Sequence, residues 1–262
     1  MIRVAFFDID GTLIDNETGR WSEKTIKGIQ ALQRHGVKVV LCSARPFHSM
    51  DKFGVFSLGI DWDGWISSAG AVANYQGQYL RKTLMKKEDI EGFCKMCGED
   101  GYTMELVEVL TRKLVFGQTK DSQNYYRSFK ESIPDDGVYE GEEVVGINFF
   151  APEGVCYRYQ KAFPGLVIHR YFESAVDVMG TLHRKEDGIK AVLKHLGLSK
   201  KEAIGFGDDV QDISMANGVG TFVCMGQGNE HVKEIADYVT SSIKEDGVYQ
   251  ALLHYNLIEE IG

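Results

Sequence analysis

Phe6-Phe7-Asp8-Ile9-Asp10-Gly11-Thr12 is the stretch on which the reading of this chain turns. It closes an almost unbroken apolar run that starts at Ile2, the pattern of a strand buried on both faces. Two carboxylates stand where the run stops. In an extended backbone, positions 8 and 10 project to the same side, and Gly11 lets the chain turn sharply. Like charges at the end of a buried strand are costly unless something offsets them. A divalent cation is the simplest offset, and open α/β sheets hold their ligands at the carboxyl ends of strands. The stretch therefore points to a metal-assisted site centred on Asp8 and Asp10, although Asp10-Gly11 alone is also ordinary turn chemistry.

Downstream, Ser22 suits an N-cap for a helix with Ile26, Ile29 and Leu32 on one face, closed at Gly36. A second apolar run at 37–41 ends in Cys42-Ser43-Ala44-Arg45-Pro46, which completes a right-handed βαβ unit. A short strand at 65–67 precedes Ser68-Ala69-Gly70-Ala71. From about residue 80 the texture changes: strands at 102–107 and 144–150 and helices at 88–98 and 122–132 alternate less regularly, as in an α+β module. Near residue 184 the α/β texture returns. A helix carries Ile189, Val192, Leu193 and Leu196 up to Gly197, and a buried strand at 203–207 meets Asp208-Asp209. Later elements are a strand at 220–223, a helix at 230–236, an edge strand at 238–240 and a helix at 248–253. The organisation is an α/β domain, residues 1–81 and 184–262, interrupted by an α+β insertion at 82–183.

The chain has 262 residues and a net charge of −9, which argues against nucleic-acid or anionic-membrane partners. No apolar stretch approaches the roughly 18 residues of a membrane span, and the early aspartates break any signal-peptide pattern. The 5 cysteines are an odd number, so a disulfide framework is not expected. These features point to a cytoplasmic protein; nothing in them fixes an oligomeric state.

If the strands are parallel, Asp8 and Asp10, Ser43, Lys185, and Asp208 with Asp212 converge on one rim. The set suits phosphoryl transfer. One carboxylate can attack phosphorus and a neighbour can shuttle the proton. Carboxylates can hold Mg²⁺, and a hydroxyl and an ammonium can bind the phosphate oxygens.

These motifs resemble those of the haloacid dehalogenase superfamily, and within it the Cof-type phosphatases with a type IIB cap. The residues carrying the likeness are Phe7-Asp8-Ile9-Asp10-Gly11-Thr12, Ser43 in Cys-Ser-Ala-Arg-Pro, Lys185 before Gly188-Ile189, and Gly207-Asp208-Asp209-Val210-Gln211-Asp212. The resemblance implies a Rossmann-like core with a parallel sheet and an inserted α+β cap. It implies an Mg²⁺-dependent phosphatase for a small phosphorylated metabolite, such as a sugar phosphate. Asp8 would be the nucleophile and Asp10 the general acid/base. The Asp8 carboxylate, the Asp10 main-chain carbonyl and Asp208 would hold the metal, with Asp212 ligating or orienting its shell. Ser43 and Lys185 would bind the phosphoryl group, with Gly11, Thr12, Ala44, Arg45 and Gln211 beside it. A phosphosugar mutase or phosphotransferase on the same site, and a phosphate-sensing protein without turnover, are the alternatives.

Two positions depart from the family pattern: Gln211 and Ala69 stand where the family usually has asparagine. Arg184 rivals Lys185, Asp209 rivals Asp208, and Arg45 could reach either the site or a nearby carboxylate. Cys94 and Cys97 suit helix packing better than a metal or redox pair. His48, His169 and His183 suit surface or core, and Gly226-Gln227-Gly228-Asn229 reads as a loop. In the insertion, Lys86, Lys87, Arg112 and Lys113 could meet an anionic substrate or simply face water. Hinges are expected at 81–83 and 180–184.

Overall fold

The computed structural model describes residues 1–261. The chain opens with β1 (Val4–Phe7), a hairpin of β2 (Ile14–Asp15) and β3 (Arg20–Trp21), and α1 (Glu23–Arg34). Next come β4 (Lys38–Cys42), α2 (Phe47–Met50), β5 (Gly64–Ser67), β6 (Val72–Tyr75) and β7 (Gln78–Lys82). A middle set follows: α3 (Lys87–Asp100), β8 (Thr103–Glu108), β9 (Arg112–Val115), α4 (Lys120–Ser128), β10 (Val144–Phe150), α5 (Cys156–Ala162), β11 (Val167–Phe172) and β12 (Ala175–Met179). The last set is α6 (Lys185–Leu196), β13 (Ala203–Gly207), α7 (Ile213–Gly218), β14 (Thr221–Cys224), α8 (Glu230–Ile235), β15 (Tyr238–Val239) and α9 (Gly247–His254). The chain divides into two compact units, one of Met1–Lys82 with His183–Gly262 and the other of Thr83–Leu182.

The first unit is built on a sheet in the order β15-β14-β13-β1-β4-β5-β6-β7. Pairing is parallel from β15 through β5 and antiparallel for β6 and β7. Strand β1 lies between β13 and β4, with Phe7 opposite Phe206 and Leu41. Its unbroken apolar run has a direct cause, because alternate side chains feed two cores. Ala5 and Phe7 enter the core formed with α1 and α9, while Val4 and Phe6 enter the one formed with α6 and α7. Phe7 stacks on Phe206 at 4.9 Å between ring centroids, worth about 1 kcal/mol beyond area burial. The capping expected of α1 is present: Ser22 Oγ accepts from the Thr25 N–H at 3.1 Å, and Gly36 follows the helix at φ +82°.

The second unit is an antiparallel sheet in the order β11-β12-β10-β8-β9. Helices α3 and α5 cover one face through Ile90, Phe93, Cys97 and Tyr159. Tyr125 and Tyr126 of α4 pack on the other, against Leu114, Phe150 and Ala175. Cys97 is buried among apolar neighbours and Cys94 packs beside it, which is the helix-packing reading. Helix α4 is shorter than the spacing at 122–132 suggests. It starts earlier, because Thr119 and Ser122 form a capping box, and it ends before Lys130, which adopts φ +51°. The segment between Asp10 and Ser22 forms the β2–β3 hairpin.

Candidate active site

Strand order brings the carboxyl ends of β1, β4 and β13 together, and α6 begins beside them. Asp8, Asp10, Ser43, Ala44, Lys185, Asp209, Gln211 and Asp212 line one cleft. Asp8 extends the β1 ladder, its N–H bonding the Phe206 carbonyl at 3.0 Å. Its side chain is 8% exposed, and Lys185 Nζ lies 2.6 Å from its Oδ1. The same ammonium, 2% exposed, lies 2.6 Å from Asp212 Oδ1. Burial pushes the Asp8 carboxyl well above the ordinary range; Lys185 opposes that shift and Asp212 adds to it. Burial works against the Lys185 charge, but Asp212 and Asp8 outweigh it and hold the ammonium charged. Of the two rivals, Lys185 lies in the cleft, while Arg184 is exposed at the helix start.

Asp10 is held separately. Arg45 donates from Nε to Asp10 Oδ2 at 2.6 Å and from an η-nitrogen to Oδ1 at 2.8 Å, a two-pronged guanidinium–carboxylate pair. Arg45 thus reaches a carboxylate that is itself in the cleft, which joins the two readings of this residue. Ser43 is buried at the end of β4, and its hydroxyl accepts from the Arg45 N–H at 3.1 Å. A serine turn and a cleft-lining hydroxyl are here the same residue.

Beyond β13, Asp208 and not the exposed Asp209 joins the acidic group. Carboxylate oxygens of Asp8, Asp208 and Asp212 lie within 4.8 Å of one another. Burial raises the Asp208 pKa to about 7, with Asp212 and Asp209 adding to the effect. Asp212 has both oxygens engaged. Oδ1 takes Lys185, while Oδ2 accepts from the Asp208 N–H at 3.0 Å and the Asp209 N–H at 3.2 Å. Thr12 Oγ1 donates to Asp208 Oδ1 at 3.5 Å. Gly11 sits at φ +72° where the turn passes Asp208, and a Cβ there would lie 2.1 Å from Asp208 Oδ2, so only glycine fits.

Two features were not legible in the motifs. Gln227, in the stretch read as a plain loop, donates to the Gly11 carbonyl at 2.5 Å. Ala69 adopts φ +51° and ψ +34°, a left-handed conformation that asparagine tolerates better than alanine. Among the basic residues of the insertion, Arg112 pairs with Glu131 at 2.6 Å and with Glu105 at 3.4 Å, and Lys113 pairs with Glu142 and Glu108. Lys86 and Lys87 are exposed, with Lys87 3.6 Å from Glu91. His169 is exposed; His183 is partly buried, and burial with the nearby Arg81 lowers its pKa to about 4.

No helix of the described residues is long and apolar enough to cross a membrane. YkrA of Bacillus subtilis (strain 168), a candidate phosphatase, is 30% identical over 98% of this chain and 99% of its own length. A crystal structure of a hypothetical protein from Geobacillus kaustophilus HTA426 is 28% identical, with a TM-score of 0.91 over 98% of this chain and 100% of its own. A structure described as a subclass IIB sugar phosphatase of the haloacid dehalogenase superfamily is 29% identical, with a TM-score of 0.77 over 98% of this chain and 100% of its own. The sequence profile of the haloacid dehalogenase-like hydrolases matches residues 5–252, and with the aspartates, serine and lysine of its motifs gathered at one cleft, this chain belongs to that family.

Proposed function

We propose that this chain is an Mg²⁺-dependent phosphatase that hydrolyses a small phosphorylated metabolite, of the sugar phosphate class, through an aspartyl phosphate on Asp8. The observation that carries the reading is the Asp8 carboxylate at a cleft shared with Lys185, Ser43 and Asp10. The likeness to a sugar phosphatase over nearly the whole chain supports the substrate class.

The residues present fit a hard divalent cation. Asp8, Asp208 and Asp212 offer only oxygen donors, and the Lys185 ammonium pairs with just two of the three carboxylates. Mg²⁺ would be held by the Asp8 and Asp208 carboxylates and the Asp10 main-chain carbonyl. Asp212 would orient rather than ligate, because both its oxygens already carry bonds. When bound, the ion neutralises charge that builds on the transferring phosphoryl group.

An Asp8 carboxylate oxygen attacks phosphorus and the bond to the leaving oxygen breaks. Asp10 gives that oxygen its proton. Asp10 then takes a proton from water, whose oxygen attacks phosphorus and releases Asp8 and inorganic phosphate. Lys185 neutralises Asp8 before attack and then faces the phosphoryl oxygens. Ser43 accepts from the Arg45 N–H, which leaves its O–H to donate to the same oxygens. Arg45 takes one lone pair on each Asp10 oxygen, so a proton at Asp10 sits on a remaining lone pair and competes with the guanidinium for the carboxylate's charge. The unit Thr83–Leu182 is assigned as the cap.

Phosphate release from an aryl phosphate with and without Mg²⁺ tests the reading. Asp8→Asn is expected to lower turnover by about a thousandfold or more, since an amide does not form the aspartyl phosphate. Undiminished turnover in that variant refutes the mechanism, and a panel of phosphorylated metabolites then ranks substrates.

A further inference from the structure

The loop between β14 and α8, residues 225–229, lies outside the four stretches on which the resemblance to the family rests. It nonetheless holds both acidic turns of the site. Gln227 Nε2 donates to the Gly11 carbonyl at 2.5 Å, and its Oε1 accepts from the Ile243 N–H at 2.8 Å. Two residues on, the Asn229 N–H donates to the Asp208 carbonyl at 2.8 Å. Gly228 lies between them, and a Cβ there would come within 2.9 Å of the Asp208 carbonyl oxygen. The loop is itself pinned. Met225 N–H bonds Gly207 at 3.0 Å, Gly226 N–H bonds Ser241 at 3.1 Å, and Gly228 N–H bonds Met225 at 2.8 Å.

Gly11 lies between the two acidic turns, packed directly on the Asp208 carboxylate. Its N–H is fixed by the Ile14 carbonyl at 3.0 Å. Its carbonyl is fixed by Gln227. A glycine at positive φ has more freedom than any other residue, so the peptide plane there depends on what its polar groups bond. A primary amide suits this position because one group donates and accepts at once. It ties the Gly11 peptide to the 241–243 segment, more than 200 residues away in sequence.

We propose that Gln227 is a positioning residue for the reaction: it fixes the Gly11 peptide, and through it the placement of Asp10 relative to Asp208. The kinetic consequence rests on the phosphatase reading; the mechanical consequence does not.

Two variants test this. Gln227→Met removes both bonds at similar size. Gln227→Glu keeps the acceptor for Ile243 but turns an oxygen toward the Gly11 carbonyl. Hydrogen exchange of peptides covering residues 9–15 is expected to speed up in both variants, and that of residues 240–247 in Gln227→Met alone. In both, kcat is expected to fall about tenfold with KM changed less than about twofold, because misplacement acts on the transition state. Inhibition by orthovanadate, a mimic of the five-coordinate phosphorus, should weaken in step, while inhibition by inorganic phosphate stays put. Unchanged exchange at residues 9–15 overturns the proposal. So does a kcat loss that leaves vanadate inhibition unaltered, or one that tracks only the fraction of folded protein. A wild-type protein that releases no phosphate refutes the phosphatase reading instead, and exchange at residues 9–15 still decides the hold of Gln227.

Discussion

Asp208→Asn is expected to stabilise the metal-free protein at pH 8 while removing a ligand from the proposed Mg²⁺ site. Burial, then Asp212 and Asp209, lift the Asp208 pKa from 3.8 to about 7. A carboxyl whose folded pKa is raised favours the folded state only while protonated. Its contribution is intact below the unfolded pKa and is lost as pH rises through the folded one. At about 1.4 kcal/mol per pKa unit, the full shift corresponds to about 4 kcal/mol at pH 8. Asp208 is only partly buried, so solvent screening reduces this to about 2 kcal/mol. Asparagine keeps the shape and an oxygen for the Thr12 hydroxyl, and it carries no charge to desolvate. Calorimetry in a chelator should therefore show the variant melting about 4–8 °C above wild type at pH 8. The gap should narrow to under about 1 kcal/mol at pH 5, where folded wild type is already protonated. Adding Mg²⁺ should raise the wild-type melting temperature at pH 8 more than at pH 5, and barely raise that of the variant. A variant no more stable than wild type at pH 8, or equally advantaged at both pH values, refutes the charge argument.

Ala69→Asn should stabilise the fold by about 0.5–1 kcal/mol, because the left-handed backbone at φ +51° disfavours alanine more than asparagine; an unchanged urea midpoint would count against it. Lys185→Met should destabilise by about 3 kcal/mol at pH 7.5, since it strips the shared cation from two buried carboxylates. Part of that loss should be recovered at pH 5, because burial raises the Asp8 carboxyl and a carboxyl raised in the folded state favours folding more as the pH falls. Urea unfolding at the two pH values checks both the size and the sign.

The parts of the fold legible in the sequence are those where local pattern and tertiary environment agree. β1 and β13 read plainly because both faces are buried, so nothing polar interrupts them until the site begins. β2 and β3 are two residues long and leave no periodicity to read. β11 alternates half-buried and exposed positions, with His169 and Tyr171 outward, and a short amphipathic strand of that kind resembles a loop. The site shows the same division. Asp8, Asp10, Ser43, Lys185, Asp208 and Asp212 each lie in a stretch with a recognisable local form. The hold of Arg45 on Asp10 and of Gln227 on Gly11 spans 35 and 216 residues. A long polar side chain does not announce a partner that only the topology supplies.

That division changes what the opening carboxylates demand. On an isolated strand, Asp8 and Asp10 call for one shared cation. In the fold each has its own: Lys185 lies 2.6 Å from Asp8, and Arg45 grips Asp10 through two bonds. Their adjacency is therefore tolerated without a metal, and the unmet charge moves one strand over. Asp208 meets the Thr12 hydroxyl and, among the described residues, no cation. Lys185 eases its charge only from a distance, because the ammonium is in direct contact with Asp8 and Asp212. On the proposed reading, an Mg²⁺ ion would answer first to Asp208 and to Asp8 across the gap, and to Asp10 only through its backbone carbonyl. On that reading the Asp10 side chain would be left for proton transfer, held meanwhile by its two bonds to Arg45.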